Sequence, residues 1–317
     1  MAVTLKNIAQ ICGVDVSTVS RALRNDPRVR EDTRSFINKK AAELGYNPNL
    51  AARHLVSGKT LNLWMIIPDL KQAVVQEPAQ YLSESLNRKG YDLLITLYQN
   101  DTETFAHLMN RLSQNVADGA FIIPPTDYKQ VSYLPLIQKK FPLVFIDRKP
   151  DFKECTTVTT ANSDASANLV KKCLKAGAKK FVILFAEDNS AALARLKGSI
   201  EALNSRDIPF CTDPTFSPEF VSNPEPTAII ASSPATINDF YSNYSSVIKS
   251  DKIIAGTFDN WLGLSEYYSH IFVCKQDFKT IANQAAELML RKIEEKADLF
   301  LTAETAPKGI FTLKAEI

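Results

Sequence analysis

Val16, Ser17 and Arg21 follow a glycine turn at Gly13, at a spacing that sets them together on the first turns of one short helix. An arginine there can grip the O6/N7 edge of guanine, worth ~1–3 kcal/mol of base discrimination, and a valine can touch a thymine methyl. Ser17 adds a short, adaptable hydroxyl, and Ser20 shares the outward face. The plainer alternative is an ordinary helical hairpin with a solvated Arg21. A second set, Asp147, Arg195 and Asp259, is scattered along the chain, the two aspartates at the ends of predicted strands and Arg195 at a predicted helix start. Two carboxylates can hold sugar hydroxyls bidentately, and a guanidinium clamps phosphate or carboxylate. Arg148 offers a second clamp beside Asp147.

The elements that present the first set are readable. Leu5, Ile8 and Cys12 fall at helical spacing behind a Thr4 cap. Gly13 makes the turn, and Asp15 can cap a second helix whose Val19, Ala22 and Leu23 face inward. A loop with Pro27 follows. A third helix carries the stripe Thr33, Phe36, Ile37, Lys40, Ala41 and Leu44 and stops at Gly45. The stretch Pro48-Asn49-Leu50-Ala51-Ala52-Arg53-His54-Leu55 is too short to persist as a lone helix, since isolated helices under ~12–15 residues are marginal. It should fold only beside a twin on DNA, where Leu55 can wedge into the minor groove. Otherwise it is a plain linker with Leu55 buried against the body. His54 reads as solvated or phosphate-facing.

From residue 61 short apolar runs alternate with amphipathic stretches. The runs are Leu63–Ile67, Tyr91–Leu97, Ala120–Ile123, Leu143–Ile146, Phe181–Phe185, Ala228–Ala231, Ile253–Thr257 and Ile271–Cys274. Stretches of helical length lie at 76–89, 102–115, 163–176 and 190–205. This alternation predicts parallel sheets covered on both faces, in two α/β halves meeting near 158–162. Ligands of such sheets bind beyond the carboxyl ends of the strands, so two facing halves form a cleft. The expected division is a helix-turn-helix headpiece over 1–47, a hinge helix and linker over 48–60, and a core over 61–317. One lobe covers about 61–158 and 276–302, the other about 159–275 and 303–317.

Charge is unevenly placed. Residues 1–60 hold ten Lys/Arg against five Asp/Glu, whereas 61–317 hold twenty-seven against thirty. A basic cap on a mildly acidic body suits an anionic partner at one end only. With 45% hydrophobic and 23% charged residues, the 317-residue chain has the make-up of two or three globular domains. No apolar run approaches the ~20 residues that span a bilayer. The opening Met-Ala-Val-Thr-Leu-Lys lacks an apolar signal region, so a cytoplasmic location away from membranes is expected. The cysteines (Cys12, Cys155, Cys173, Cys211, Cys274) are never spaced Cys-x-x-Cys and read as reduced thiols. There is no Gly-x-x-x-x-Gly-Lys loop, no Gly-x-Ser-x-Gly elbow and no histidine pair. With only His54, His107 and His270, no catalysis, metal or cofactor is expected.

Residues 4–60 resemble the DNA-binding headpiece of the lactose-repressor (LacI) family. The matching residues are Gly13-Val14, Thr18-Val19-Ser20-Arg21, Thr33-Arg34, Leu44-Gly45-Tyr46-x-Pro48-Asn49, Ala52 and Leu55. The body resembles the family's core more loosely. Its marks are Ile67-Pro68-Asp69, Gly90-Tyr91, Asp118-Gly119, Ile146-Asp147-Arg148, Arg195-Leu196-x-Gly198, Thr257-x-Asp259-Asn260 and Lys275-Gln276-Asp277-Phe278. The resemblance implies an α/β protein with an all-helical headpiece and a two-lobed, periplasmic-binding-protein-like core of parallel sheets. It also implies a homodimer on a pseudo-palindromic DNA operator and a small-molecule effector in the cleft. DNA contacts would come from Thr4, Val16, Ser17, Thr18, Ser20, Arg21, Asn49, Ala52, Arg53 and Leu55, with Leu55 intercalating. Effector contacts would come from Asp69, Asp147, Arg195, Ser233, Asp259 and Gln276.

Two departures bear on the ligand. Ser233-Pro234 stands where the family usually shows Asn-Asp, and Leu70-Lys71-Gln72-Ala73 replaces Ser-Asn-Pro-Phe. These look more similar to the fructose-repressor, or catabolite repressor–activator, branch, whose effectors are sugar phosphates. Lys71, Arg148 and Arg195 would suit a phosphate. Alternatively, Lys71 and Arg148 are surface charges and the pocket takes something else, or nothing. The expectation is a DNA-binding transcription regulator, a repressor answering to a sugar or sugar phosphate that changes the angle between the lobes. A solute-binding protein, a sugar-metabolising enzyme and a core answering to a protein partner are the alternatives.

Overall fold

The computed structural model describes residues 3–47, 58–71, 73–114, 116–126, 141–150, 155–184, 189–212, 217–222, 225–244, 253–259, 270–295, 302–305 and 309–314. The expected hinge contacts Asn49, Ala52, Arg53 and Leu55 lie outside the described residues. The chain divides into two units, Met1–Lys59 and Thr60–Ile317.

In the first unit, α1 (Leu5–Cys12), α2 (Val16–Ala22) and α3 (Glu31–Glu43) close on Ile8, Ala9, Val19, Ala22, Val29, Ile37 and Ala41. Thr4 starts α1 with a reciprocal capping box. Asn7 N donates to Thr4 Oγ1 (3.4 Å), and Thr4 N donates to Asn7 Oδ1 (2.9 Å). Gly13 turns the chain at φ +65°, a conformation that costs a glycine little. Two expectations are corrected here. Asp15 occupies the N-cap position of α2, but its carboxylate makes no capping hydrogen bond. Phe36 is 48% exposed. A step of about 100° per residue carries it off the face that Ile37 and Ala41 bury.

The second unit is built on two six-stranded sheets. The first comprises β1 (Asn62–Ile67), β2 (Asp92–Leu97), β3 (Gly119–Ile122), β4 (Leu143–Ile146), β5 (Thr157–Thr160) and β11 (Thr302–Thr305). The second comprises β6 (Lys180–Leu184), β7 (Phe210–Thr212), β8 (Thr227–Ala231), β9 (Ile253–Phe258), β10 (His270–Lys275) and β12 (Gly309–Lys314). Their orders are β11-β5-β4-β3-β1-β2 and β12-β10-β9-β8-β6-β7. Each sheet therefore repeats the doubly wound order 2-1-3-4-5 and adds one visiting strand from the C-terminal segment. The described pairings are parallel except β10 with β12.

Both faces of each sheet are covered. The first packs α4 (Ala73–Asn87) and α10 (Phe278–Glu295) on one side and α5 (Thr102–Leu112) on the other. The second packs α6 (Asn162–Lys175) and α7 (Ser190–Asn204) on one side, with α8 (Pro218–Ser222) and α9 (Pro234–Tyr244) opposite. The first crossing falls within the expected 158–162, and the last lies a little past the expected 302. β5 lies wholly in the first sheet and pairs with β11 from Thr302↔Thr157 to Thr305↔Thr160, so the chain changes sheet after Thr160 and again after Thr305. Both strands are rich in threonine and lack the apolar run that marks the others. Among the described residues no helix is long and apolar enough to cross a membrane.

Candidate functional site

In the headpiece, Val16, Ser17 and Arg21 are exposed on α2, whereas Thr18 and Ser20 are half-buried. The inward face is fixed by Val19 and Ala22, both fully buried, and this leaves the other face to solvent. The Arg21 side chain makes no hydrogen bond or ion pair among the described residues, whereas its carbonyl accepts from Arg24 N and Asp26 N, both at 3.1 Å. Thr4 is exposed, with its hydroxyl committed to Asn7 Oδ1 at 2.6 Å.

In the core, the doubled sheet order puts Asp147 and Asp259 at equivalent places, each directly after the fourth strand of its sheet. The equivalence extends to the backbone. Asp147 N donates to Val158 O (3.1 Å) and Asp259 N to Cys274 O (3.0 Å). Both residues adopt left-handed φ, +67° and +59°. Such a turn at a strand end costs a non-glycine residue energy that the surroundings must hold, and it aims the side chain off the sheet's edge.

Arg195 lies within α7, not at a helix start as expected, and it is buried. Its Nε donates to Asn162 Oδ1 and its Nη1 to Ser232 O, both at 2.7 Å, while the guanidinium lies over the Phe258 ring at 3.8 Å. The Arg-Leu-x-Gly pattern explains how the helix comes so close. A Cβ on Gly198, one turn after Arg195, would stand 2.1 Å from Ser163 O, so only glycine admits this crossing of α7 over α6.

A polar chain links these groups to the crossing strands. Asn162 Nδ2 donates to Thr160 O (3.0 Å), Thr160 Oγ1 donates to Gln276 Oε1, and Gln276 Nε2 donates to Asp259 Oδ2 (2.8 Å). Asp259 is only partly buried as a residue, yet its Oδ1 is sealed from solvent and has no hydrogen-bond partner among the described residues. Burial pushes the Asp259 carboxyl up to about 6, against the pull of the Arg195 charge and the Gln276 bond, with Asp147 adding to the rise. Asp147 has its own cation, Arg148, whose Nε lies 3.5 Å from Asp147 Oδ2 and whose Nη1 reaches Pro124 O at 3.5 Å. A small recess beside Arg195 is lined by Ser166, Ser199, Ile230, Ser232 and Phe258 among others.

Five of the eight expected effector residues thus come together: Asp147, Arg148, Arg195, Asp259 and Gln276. The other three have local partners. Asp69 Oδ1 accepts from Lys71 N (2.8 Å), which makes a tight turn and leaves the Lys71 side chain exposed. Ser233 Oγ accepts from Thr236 N (3.3 Å), which makes it the cap of α9 with Pro234 at the first helical position. Sequence reasoning missed Thr160, Asn162, Ser232 and Phe258. Only Asn162 carried a signal, a polar residue opening a helix directly after a strand, and that pattern reads as a cap.

The match to known proteins begins in the headpiece. Residues 4–49 fit the family described as bacterial regulatory proteins, lacI family. Residues 4–49 are a LacI-family DNA-binding domain. The chain is also similar to catabolite control protein A of Staphylococcus aureus (strain Mu50 / ATCC 700699), 26% identical over 209 residues, 66% of this chain. The matched region spans 63% of that relative's length. In fold, the chain resembles the lac repressor dimer bound to operator and the anti-inducer ONPF. The TM-score is 0.81 at 18% identity, over 99% of this chain and 98% of that one. It also resembles the Cra transcriptional dual regulator of Pseudomonas putida in complex with fructose 1-phosphate. There the TM-score is 0.66 at 21% identity, over 81% of this chain and 99% of that one.

Proposed function

We propose that this chain is a sequence-specific DNA-binding transcription regulator, a repressor whose operator affinity is set by a small polyhydroxylated effector in the cleft of the core. It acts in the cytoplasm as a homodimer on a pseudo-palindromic operator, with no catalytic role. The observation that carries the reading is the exposed Val16, Ser17 and Arg21 face of α2, on a LacI-family domain, at the N-terminal end that enters a major groove. Effector binding changes the angle between the two lobes, and the paired hinges at 48–60 translate that change into operator affinity. Selection of duplexes from a random pool, followed by titration against salt, tests the DNA part. A specific half-site and a steep fall of affinity with salt are expected. Arg21→Ala should relax base preference at one position per half-site, and an unaltered preference profile would reject the readout role.

Two effector chemistries are compatible with the site. The orphaned Asp259 Oδ1 favours a ligand that donates a hydroxyl hydrogen. A phosphate needs Arg148 to turn from Asp147, or Lys71 to swing in. Thermal unfolding against sugars and sugar phosphates separates them, since a ligand in hundredfold excess over its Kd stabilises by ~2.7 kcal/mol. A shift with the phosphorylated sugar alone, lost in Arg148→Ala, selects the phosphate. A shift with both, lost in Asp259→Asn, selects the hydroxyl contacts. No shift with any compound favours a core that answers to a protein partner.

A further inference from the structure

We infer that Asp118 is a positioning residue: its carboxylate clamps the place where the chain enters the core and so fixes the direction in which the hinge leaves it. Asp118 directly precedes β3 and belongs neither to the DNA-reading face nor to the cleft cluster. Its Oδ1 accepts from Thr60 N (2.7 Å) and Thr60 Oγ1 (3.0 Å), and its Oδ2 accepts from Leu61 N (2.9 Å). Its own N donates to Asn62 O (2.8 Å). One residue therefore fastens three consecutive residues 56 to 58 positions away, both carboxylate oxygens being used. Thr60 Oγ1 also accepts from Asn62 N at 3.1 Å, which closes the turn on itself.

The backbone held this way is unusual. Leu61 sits at φ +58°, which a residue with a side chain keeps only when its neighbours enforce it. The Asp118 carboxylate holds its N–H, and Asp92 N holds its carbonyl at 2.9 Å. Both polar ends of Leu61 are thus fixed, one from the start of β3 and one from the start of β2. A plain linker docking on a sheet needs no such conformation. From the clamp, β3 leads to Pro124, whose carbonyl meets Arg148 Nη1 at 3.5 Å. The strand that holds the chain's entry thus also meets the cleft cluster at its far end.

This inference rests on the reading of the chain as a dimeric DNA-binding regulator. In that setting a fixed exit direction sets the distance between two hinges, and hence the half-site spacing that the dimer accepts. The test uses the full chain, a duplex selected from a random pool by the wild-type protein, and versions of it with one base pair added or removed between half-sites. Asp118→Ala should keep a cooperative thermal transition for the core but reduce the preference for the selected spacing at least tenfold. Asp118→Asn, which keeps one acceptor oxygen, should fall between, and Thr60→Val should lose two- to threefold. Trypsin cleavage after Lys59 should quicken in the same order. If Asp118→Ala leaves both the spacing preference and the cleavage rate at wild-type values, the clamp has no positioning role. Should Asp118→Ala fail to fold, Thr60→Val decides: wild-type behaviour in both measurements overturns the inference. If the wild-type chain binds no duplex at all, the regulator reading fails instead. The cleavage rates alone then judge the clamp, faster cleavage upholding it and unchanged cleavage rejecting it.

Discussion

Asp147 and Asp259 occupy the same place in two copies of one topology, with the same left-handed backbone and the same strand-end hydrogen bond. Their side chains live differently. Asp147 has a cation beside it in sequence, Arg148, in a pair whose two side chains are 14% and 10% exposed. Asp259 depends on groups brought from other elements: Gln276 after β10, and Arg195 from α7, which is itself spent on Asn162 and Ser232. Repeated topology thus supplies two carboxylates at one cleft, and local partners decide which one carries a buried, incompletely compensated charge. The first lobe offers a neutralised anchor. The second offers a carboxylate held by Gln276, with its other oxygen sealed from solvent.

The largest test of this asymmetry removes the second lobe's cation. Arg195→Ala should destabilise the core by about 3–5 kcal/mol at pH 7.5, because a buried carboxylate loses its counter-charge. The loss should shrink at pH 5, where Asp259 is largely protonated in any case. Urea unfolding at both pH values measures it, and an equal loss at each would mean that packing on Phe258, not charge, is what Arg195 supplies.

Replacing the anion should act with the opposite sign. Because burial raises the Asp259 carboxyl from 3.8 to about 6 in the folded chain, folding favours its protonated form. That contribution is complete below about pH 4 and is lost as the pH climbs through 6, a cost of about 3 kcal/mol by pH 7.5. Asp259→Asn should remove the cost, so the variant unfolds at higher temperature than wild type at pH 7.5 and no longer weakens between pH 4 and 7. It should also lose the effector-induced shift. A variant that is both less stable and unchanged in pH profile would end the idea of an uncompensated acceptor.

A smaller effect is expected from the helix crossing that delivers Arg195. Gly198→Ala places a methyl against Ser163 backbone, and overpacking of this kind costs about 1–3 kcal/mol. Since α7 must move as a body, effector binding should weaken together with stability. Wild-type stability would show that the two helices part freely and that Arg195 needs no such close approach.

Much of this was legible in the sequence, and what was missed has physical causes. The apolar runs marked eight of the twelve described strands, because buried parallel strands are continuous in hydrophobic residues. β5 and β11 escaped because they are built of threonine, and β7 because it is short and half-buried. The charged members of the cleft could be named from strand ends and resemblance, but their partners could not. Asn162, Phe258 and Ser232 act through distances that only the fold creates. Asp118 was read as part of the Asp118-Gly119 family mark. Its three bonds to Thr60 and Leu61 span too much sequence for any local pattern to suggest them.

The smallest expected effect concerns a direct bond between the Asp147 loop and the Arg195 helix. Lys149 N donates to Ser190 Oγ at 2.7 Å, joining the turn after β4 to the first residue of α7. Because the two ends belong to different lobes, the bond should break if the lobes part. Ser190→Ala removes the acceptor and should cost about 0.5–1.5 kcal/mol, all of it charged to the closed arrangement. The consequence is a two- to tenfold weaker effector affinity with little change in the unfolding of either lobe. Ser190→Thr, which keeps the hydroxyl, should restore the affinity. If Ser190→Ala binds effector as tightly as wild type, the two aspartates reach the ligand without help from this bond, and the asymmetry between them is set within each lobe alone.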